Sequence, residues 1–393
     1  MLIVGGLNIM TKSLQEKYEE VIIGLGCDYC VIPHDYKTAK FKIDTHGKKV
    51  CNYCEHHHQK KFKGLKQLKE DINLKTNEKI GVMVSGGKDG LFAWMILCDL
   101  IGSDKVIAFN HHKTGLVHDL AYKNIINASK ILNSKLVVIK DNEFLLRFKN
   151  NLEAFFKSPD PSMVRVALCA GCRYGITGNL YNIADSNYNI TKFVSAASYL
   201  ELAPFKNELL KEKGNGNSKY GLIRGLAENV NYNFSNNIEI ILKDDNLEYK
   251  SKAGSEKKIA SEFHNYQLFD LDDYIANDPE KYERAVKKKL GWELPDKSWH
   301  FDCIIEDFKD FFYYGLLGYT ENEFRLSQMI RYNLLSRDEA IKEIYLYRKK
   351  MKTSLNIIIK HLELLDLLYL KKIFINFYNK SQYFNPKNID QQL

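Results

Sequence analysis

The segment from Ile80 to Leu100 constrains this chain more than any other. Ile80-Gly81-Val82-Met83-Val84 is a short apolar run of the kind that forms a buried parallel strand, and Leu91 to Leu100 continues with helical periodicity. Between them stands Ser85-Gly86-Gly87-Lys88-Asp89-Gly90. Two consecutive glycines let backbone N–H groups close on an anion, and the helix starting beside them adds the positive end of its dipole. Ser85 supplies a hydroxyl and Lys88 a cation. A strand that ends in such a loop and turns at once into a helix is the opening of an α/β unit.

The pattern continues in that sense. Val106 to Phe109 reads as a second strand, Asp119 to Leu132 as a second helix and Leu136 to Ile139 as a third strand. Helices are expected around 143–156 and 173–186, with a strand at Thr191 to Ala197. The alternation predicts an α/β fold with a doubly wound parallel sheet. Lys211 to Lys219 is polar and rich in Gly and Asn, hence an expected loop, whereas 220–260 gives no clear period. From about 278 to 379 the pattern is helical, with many aromatics suited to packing. Three units are expected: 1–64, with a short helix over 11–24 and a cysteine-rich module; 65–275, the α/β domain; and 276–393, a helical region.

The loop lacks the GxxxxGK[ST] pattern of a Walker A motif. It resembles instead the PP-loop, SGGxDS, of enzymes that cleave ATP to AMP and pyrophosphate. That resemblance implies ATP and Mg²⁺, with Ser85, Gly86, Gly87, Lys88, Asp89 and Gly90 around the phosphates. Lys88 and Asp89 are the expected catalytic pair, Asp89 helping to place the metal. Gly90 stands where the motif usually has serine, which removes one hydroxyl donor.

Six of the eight cysteines fall in CxxC pairs. Cys27/Cys30 and Cys51/Cys54 match the spacing of a four-thiolate Zn²⁺ site, which is closed and therefore structural. His56-His57-His58 follow at once, as competing ligands or as a solvated polar run. Cys98 lies in an apolar helix and reads as a small buried hydrophobe. The third pair, Cys169 and Cys172, is placed before a helix, near the sheet edge that should hold substrate. With Cys303 it would give three ligands to a [4Fe–4S] cluster, leaving one iron open; a redox dithiol, a second zinc and plain buried thiols are the other readings. His111-His112 after the second strand, and Glu201 and Lys206 after the Ser195–Ser198 turn, are further candidates for nucleotide or substrate contact.

The wording around the first four cysteines is specific. Cys27-Asp28-Tyr29-Cys30-Val31-Ile32-Pro33, Phe41-Lys42-Ile43-Asp44-Thr45-His46-Gly47 and Cys51-Asn52-Tyr53-Cys54, followed by the PP-loop, resemble the N-acetyl sugar amidotransferase family. Asp119 to Ile125 looks like that family's next helix. Leu290-Gly291-Trp292, Gly318-Tyr319, Leu326 to Arg331 and Ser336 to Ala340 agree with its later pattern, so the resemblance spans roughly 27–345. It implies adenylation of the N-acetyl oxygen of a nucleotide-sugar or nonulosonic acid, then displacement of AMP by ammonia to leave an acetamidino group for a surface glycan. It also implies a separate glutaminase subunit, since this sequence has no N-terminal nucleophilic cysteine and no nucleophile-elbow glutaminase motif.

The three-cysteine arrangement is similar instead to PP-loop tRNA thiolation enzymes, and makes a sulfur transferase the alternative. A net charge of +8 is mild over 393 residues, and basic runs are short, so nucleic acid is expected only under that alternative. No stretch reaches the roughly 18–20 apolar residues of a membrane span. The first residues lack a basic leader region, Met10 is a candidate start, and a cytoplasmic protein is expected.

Overall fold

The computed structural model describes residues 16–141, 144–157, 159–174, 180–212, 266–294 and 303–384. From the amino end, α1 (Glu19–Ile23) leads to an antiparallel hairpin of β1 (Phe41–Ile43) and β2 (Lys49–Cys51), then α2 (Asn52–Glu55) and α3 (Leu65–Ile72). The α/β part follows: β3 (Ile80–Met83), α4 (Lys88–Ile101), β4 (Val106–Lys113), α5 (Asp119–Leu132) and β5 (Lys135–Asp141). Next come α6 (Phe144–Lys157), α7 (Pro161–Tyr174), α8 (Tyr181–Tyr188), β6 (Lys192–Ser195), α9 (Phe205–Glu212) and β7 (Gln267–Asp270). The remainder is helical: α10 (Pro279–Leu290), α11 (Ile305–Leu317), α12 (Glu321–Arg331), α13 (Arg337–Leu364) and α14 (Lys371–Lys380).

Five strands form one sheet in the order β5-β4-β3-β6-β7, and every neighbouring pair is parallel. This is the expected mixed α/β architecture. The chain builds outward from β3 on one side, then returns to build β6 and β7 on the other, so the order reverses between β3 and β6. The central strands read as apolar runs because helices cover the sheet. Gly81 is needed there: a Cβ on it would lie 2.3 Å from the Phe193 ring of β6.

Two large cores result. One packs Val82, Leu91, Trp94, Ala108, Ile125 and Val194 with Tyr282, Val286 and Leu290 of α10. Phe92 of α4 stacks on Tyr282 of α10 with ring centroids 3.8 Å apart, which fixes α10 against the helix that carries the loop. The other core joins Phe148, Phe155 and Leu168 to Phe308, Phe311, Phe312 and Phe374, and Cys27, Cys30, Tyr36 and Cys51 belong to it. The C-terminal aromatics are thus packed within the chain.

Several boundaries differ from the sequence reading. Of the helix expected over 173–186, residues 173–174 belong to α7 and 181–186 to α8, with 175–179 outside the described residues, and the Cys169/Cys172 pair lies inside α7 rather than before a helix. Asp160 explains this: its Oδ1 accepts from the Ser162 amide at 2.8 Å, an N-cap with Pro161 at the first helical position. β4 runs four residues beyond Phe109 because Asn110 to Lys113 keep pairing with β5. Helix α9 takes in Lys211 and Glu212, the beginning of the expected loop; the rest of that loop and 220–260 lie outside the described residues, as do residues 1–15. Among the described residues no helix is long and apolar enough to cross a membrane.

Candidate functional site

The loop from Ser85 to Gly90 takes its shape from its glycines. Gly86 has φ +99°, a conformation that L side chains rarely adopt, and a Cβ there would meet the Ala121 carbonyl oxygen of α5 at 2.3 Å. Gly87 is the N-cap of α4, so Lys88 and Asp89 stand in the first helical turn. Lys88 Nζ pairs with Asp89 Oδ2 at 2.9 Å. Asp89 Oδ1 is buried with no hydrogen-bond partner, an arrangement that suits a bound cation or a ligand donor. Gly90 rests on β3, and a Cβ there would lie 3.2 Å from the Met83 carbonyl oxygen. The site where the motif usually has serine is therefore tight.

A cleft of about 580 Å³ opens above this loop, beyond the C-terminal ends of β3, β4 and β6, where the strand order reverses. The loop residues Ser85 and Gly87 to Gly90 line it, with Asn110, His111 and Lys113 of β4 and Ser195 to Ser198 after β6. Asn110 Nδ2 donates to the Val84 carbonyl at 2.7 Å, tying β4 to the start of the loop. Of the other sequence candidates, His111 and Glu201 line the cleft. His112 packs on Tyr122 and is outside the lining, and burial pulls its pKa down. Lys206 is also outside: its Nζ pairs with Glu321 at 2.5 Å in a buried network with Lys309, Glu306 and Arg165.

Several lining residues were not assigned to the site from the sequence, Arg325 and Trp292 among them. Arg325 reaches the cleft from α12, its Nε and Nη2 both on Asn322 Oδ1 at 3.0 and 2.8 Å and its Nη2 3.6 Å from Glu343. Burial pulls its pKa down, against the influence of Glu343 and Glu201. Trp292 donates from its indole to the Gly86 carbonyl at 2.9 Å. Each lies within or beside a stretch singled out in the sequence, Leu326–Arg331 and Leu290–Trp292, but nothing in one dimension aims either at the loop's cleft. Among the described residues, three cationic side chains (Lys88, Lys113, Arg325) and four carboxylates (Asp89, Glu201, Glu283, Glu343) line the cleft.

The four N-terminal cysteines come together. Their sulfurs all lie within 4.8 Å of one another, with Cys30–Cys51 at 3.7 Å and Cys27–Cys54 at 3.9 Å. A tetrahedral ion with thiolate bonds of about 2.3 Å needs sulfur–sulfur edges of about 3.8 Å, so the donor set fits one metal ion. His56, His57 and His58 are outside this group. Arg331 Nη1 stands 3.9 Å from Cys54 Sγ, and Arg337 donates to the carbonyls of Cys27 and Cys30 at 3.2 Å each.

Arg165, Cys169 and Cys172 share one face of α7, spaced by four and three residues. Cys172 lines the cleft. Burial pushes the Cys169 thiol up, against the pull of Lys309 and Arg165. Cys303 stands just ahead of α11 and is outside the cleft lining. The sulfurs of Cys169, Cys172 and Cys303 do not form a group within 4.8 Å of one another, so they do not repeat the single-ion geometry of the first four.

Sheet and loop together give an α/β protein with a glycine-rich strand–helix loop at its cleft and a cysteine-rich metal-site candidate near its N-terminus. No family model matches the chain, and no curated protein matches it. Among solved structures it is similar to the U34-tRNA thiolase NcsA from Methanococcus maripaludis with its [4Fe-4S] cluster, at TM-score 0.34 and 14% identity, over 81% of this chain and 88% of that one.

Proposed function

We propose that the chain is an ATP-dependent adenylating enzyme that exchanges the oxygen of an N-acetyl group on a sugar for nitrogen. The observation that carries the adenylating step is the loop: a positive-φ glycine turns the chain so that an N-capping glycine and a helix N-terminus with Lys88 and Asp89 line one cleft. The acceptor is chosen by the sequence resemblance and by the charge of the cleft. Among the described residues the lining has one more carboxylate than cations, which suits a small, hydroxyl-rich acceptor better than a polyanionic RNA that calls for a positive groove.

The chemistry balances in two steps. The amide oxygen attacks the α-phosphorus of ATP, forming a P–O bond and expelling pyrophosphate. Ammonia then adds to the activated carbon, and the C–O bond breaks so that the oxygen leaves with AMP. The amidinium that remains sheds or keeps its proton according to pH. Lys88 and the loop amides bind the departing pyrophosphate, and Asp89 would hold Mg²⁺, which would neutralise phosphate charge. Zinc is the proposed occupant of the four-cysteine site, where it would supply structure and no reacting group, since all four positions are protein thiolates. Supply of ammonia by a separate glutaminase belongs to the same proposal.

Sulfur insertion is the second reading, and Cys172 at the cleft wall is the observation in its favour. It coincides with the activity named for the thiolase above, a likeness too distant to add weight. One experiment separates the two. Purified enzyme is given ATP, Mg²⁺, ammonium and N-acetylated sugars labelled with ¹⁸O in the acetyl group. Label in AMP and an acetamidino product support amidation. Iron and acid-labile sulfide in anaerobically purified protein, with no amidated product, would overturn it for sulfur transfer.

A further inference from the structure

The loop's direction rests on a residue distant in sequence. We propose that Trp292 is a positioning residue of the phosphate loop, whose indole N–H holds the Gly86–Gly87 peptide so that its amide faces the cleft. The inference rests on the reading of the loop as a nucleotide-phosphate site.

A trans peptide is planar, with its C=O and N–H on opposite edges. Trp292 Nε1 takes the Gly86 carbonyl oxygen at 2.9 Å on a buried path. The Gly87 N–H, at the other edge of the same plane, therefore points the opposite way, and Gly87 lines the cleft. A peptide between two glycines has little steric resistance to flipping, and a flip would turn a carbonyl oxygen toward the phosphates. The indole bond opposes it.

Trp292 is itself held. Gly291 ends α10 in the left-handed region at φ +62°, which turns the chain back toward the loop. The next residue, Glu293, exchanges two backbone bonds with Asn124 of α5: Asn124 Nδ2 donates to its carbonyl at 2.8 Å, and its amide donates to Asn124 Oδ1 at 3.1 Å. Ala121, one turn earlier on α5, is the residue against which Gly86 packs. The loop is thus clamped between α5 on one side and Trp292 on the other, and Trp292 is 5% exposed, so solvent does not replace the bond.

The test compares wild type, Trp292→Phe and a chain carrying the benzothienyl isostere of tryptophan at 292, which keeps the bicyclic shape and lacks the donor. Calorimetry measures ATP and pyrophosphate binding, kinetics the KM and kcat for pyrophosphate release, and thermal melting the fold. The expected result is about a tenfold loss of pyrophosphate and ATP affinity in the isostere, on the order of one lost buried hydrogen bond, with Tm near wild type and KM affected more than kcat. Equal binding by wild type and the isostere would overturn the role of Trp292. A wild-type protein that binds neither ATP nor pyrophosphate would instead overturn the nucleotide reading, and this inference with it.

Discussion

Replacing Gly86 by alanine separates the shape of the loop from its charge. The new Cβ would lie 2.3 Å from the Ala121 oxygen and 2.7 Å from its carbonyl carbon, both backbone atoms of α5. Reaching ordinary carbon contact requires the loop to withdraw by roughly 1 Å. The conformation at φ +99° adds strain on the order of 1–3 kcal/mol for a residue with a side chain. Withdrawal also loosens the Trp292 bond, for about 1 kcal/mol more. A total of roughly 2–4 kcal/mol, if expressed as a displaced loop, weakens ATP binding by between about 30-fold and 1,000-fold. If the loop stays in place, the same energy lowers Tm instead. ATP titration calorimetry and thermal melting on one preparation read both routes. Gly90→Ala is the control: its nearest backbone contact is 3.2 Å, which a shift of a few tenths of an ångström relieves, so binding stays close to wild type. Gly86→Ala with wild-type affinity and wild-type Tm would refute the loop geometry as a cause of binding.

Other outcomes follow from the charged groups and the thiols. Lys88→Ala and Asp89→Ala each abolish ATP-dependent pyrophosphate release, and unchanged release in both would end the PP-loop assignment. Elemental analysis of the protein finds about one zinc per chain, and Cys30→Ser lowers that content together with Tm; full zinc in the variant would remove the four-cysteine site. Lys309→Met leaves Glu306 and Glu321 buried beside an apolar chain where Lys309 now lies 2.6 and 3.0 Å from them. It destabilises by about 3–5 kcal/mol, read by denaturant titration. Asp310 is pushed up to about 8 by burial and then by Glu306, so the folded state holds a proton that the unfolded chain releases above its ordinary 3.8. Its contribution is present at low pH and lost as pH rises toward 8. Asp310→Asn therefore flattens the fall of Tm between pH 5 and 8, and an unchanged slope would refute the assignment.

The legible parts of this fold were those whose determinants are local. The strand at Ile80–Met83, the loop after it and the helix Asp119–Leu132 carry apolar period and glycine chemistry within a few residues, and the cysteine spacing alone brings four thiols together. The start of α7 was also written locally, in Asp160-Pro161, but a CxxC pair drew attention as a chemical motif when its residues are two positions on one helical face. The end of β4 was hidden because His111, His112 and Lys113 look like loop; they are strand only because β5 pairs with them. Lys206 and Glu201 are five residues apart, yet one is buried with Glu321 and the other faces the cleft. Such a division depends on α12, more than a hundred residues away. Arg325 and Trp292 were obscure for the same reason.

Helix α12 connects the four-cysteine group to the cleft. Four thiolates around a dication would leave about two negative charges unbalanced, and such charge near a core needs compensation. Arg331, at the end of α12, stands beside Cys54 and supplies a cation there; Ser327, one turn earlier, accepts the Val31 amide at 3.2 Å. At its other end α12 is fixed by a capping box between Thr320 and Glu323 and by Glu321 in the buried ion network. Arg325 lies between these two anchors and is the residue the helix delivers to the cleft. The same eleven-residue helix therefore meets the four-cysteine group at one end and the Lys206–Glu321–Lys309 network at the other. The cysteine-rich segment and the cleft are thus joined through one helix, which sets Arg331 beside Cys54 and Arg325 in the cleft wall.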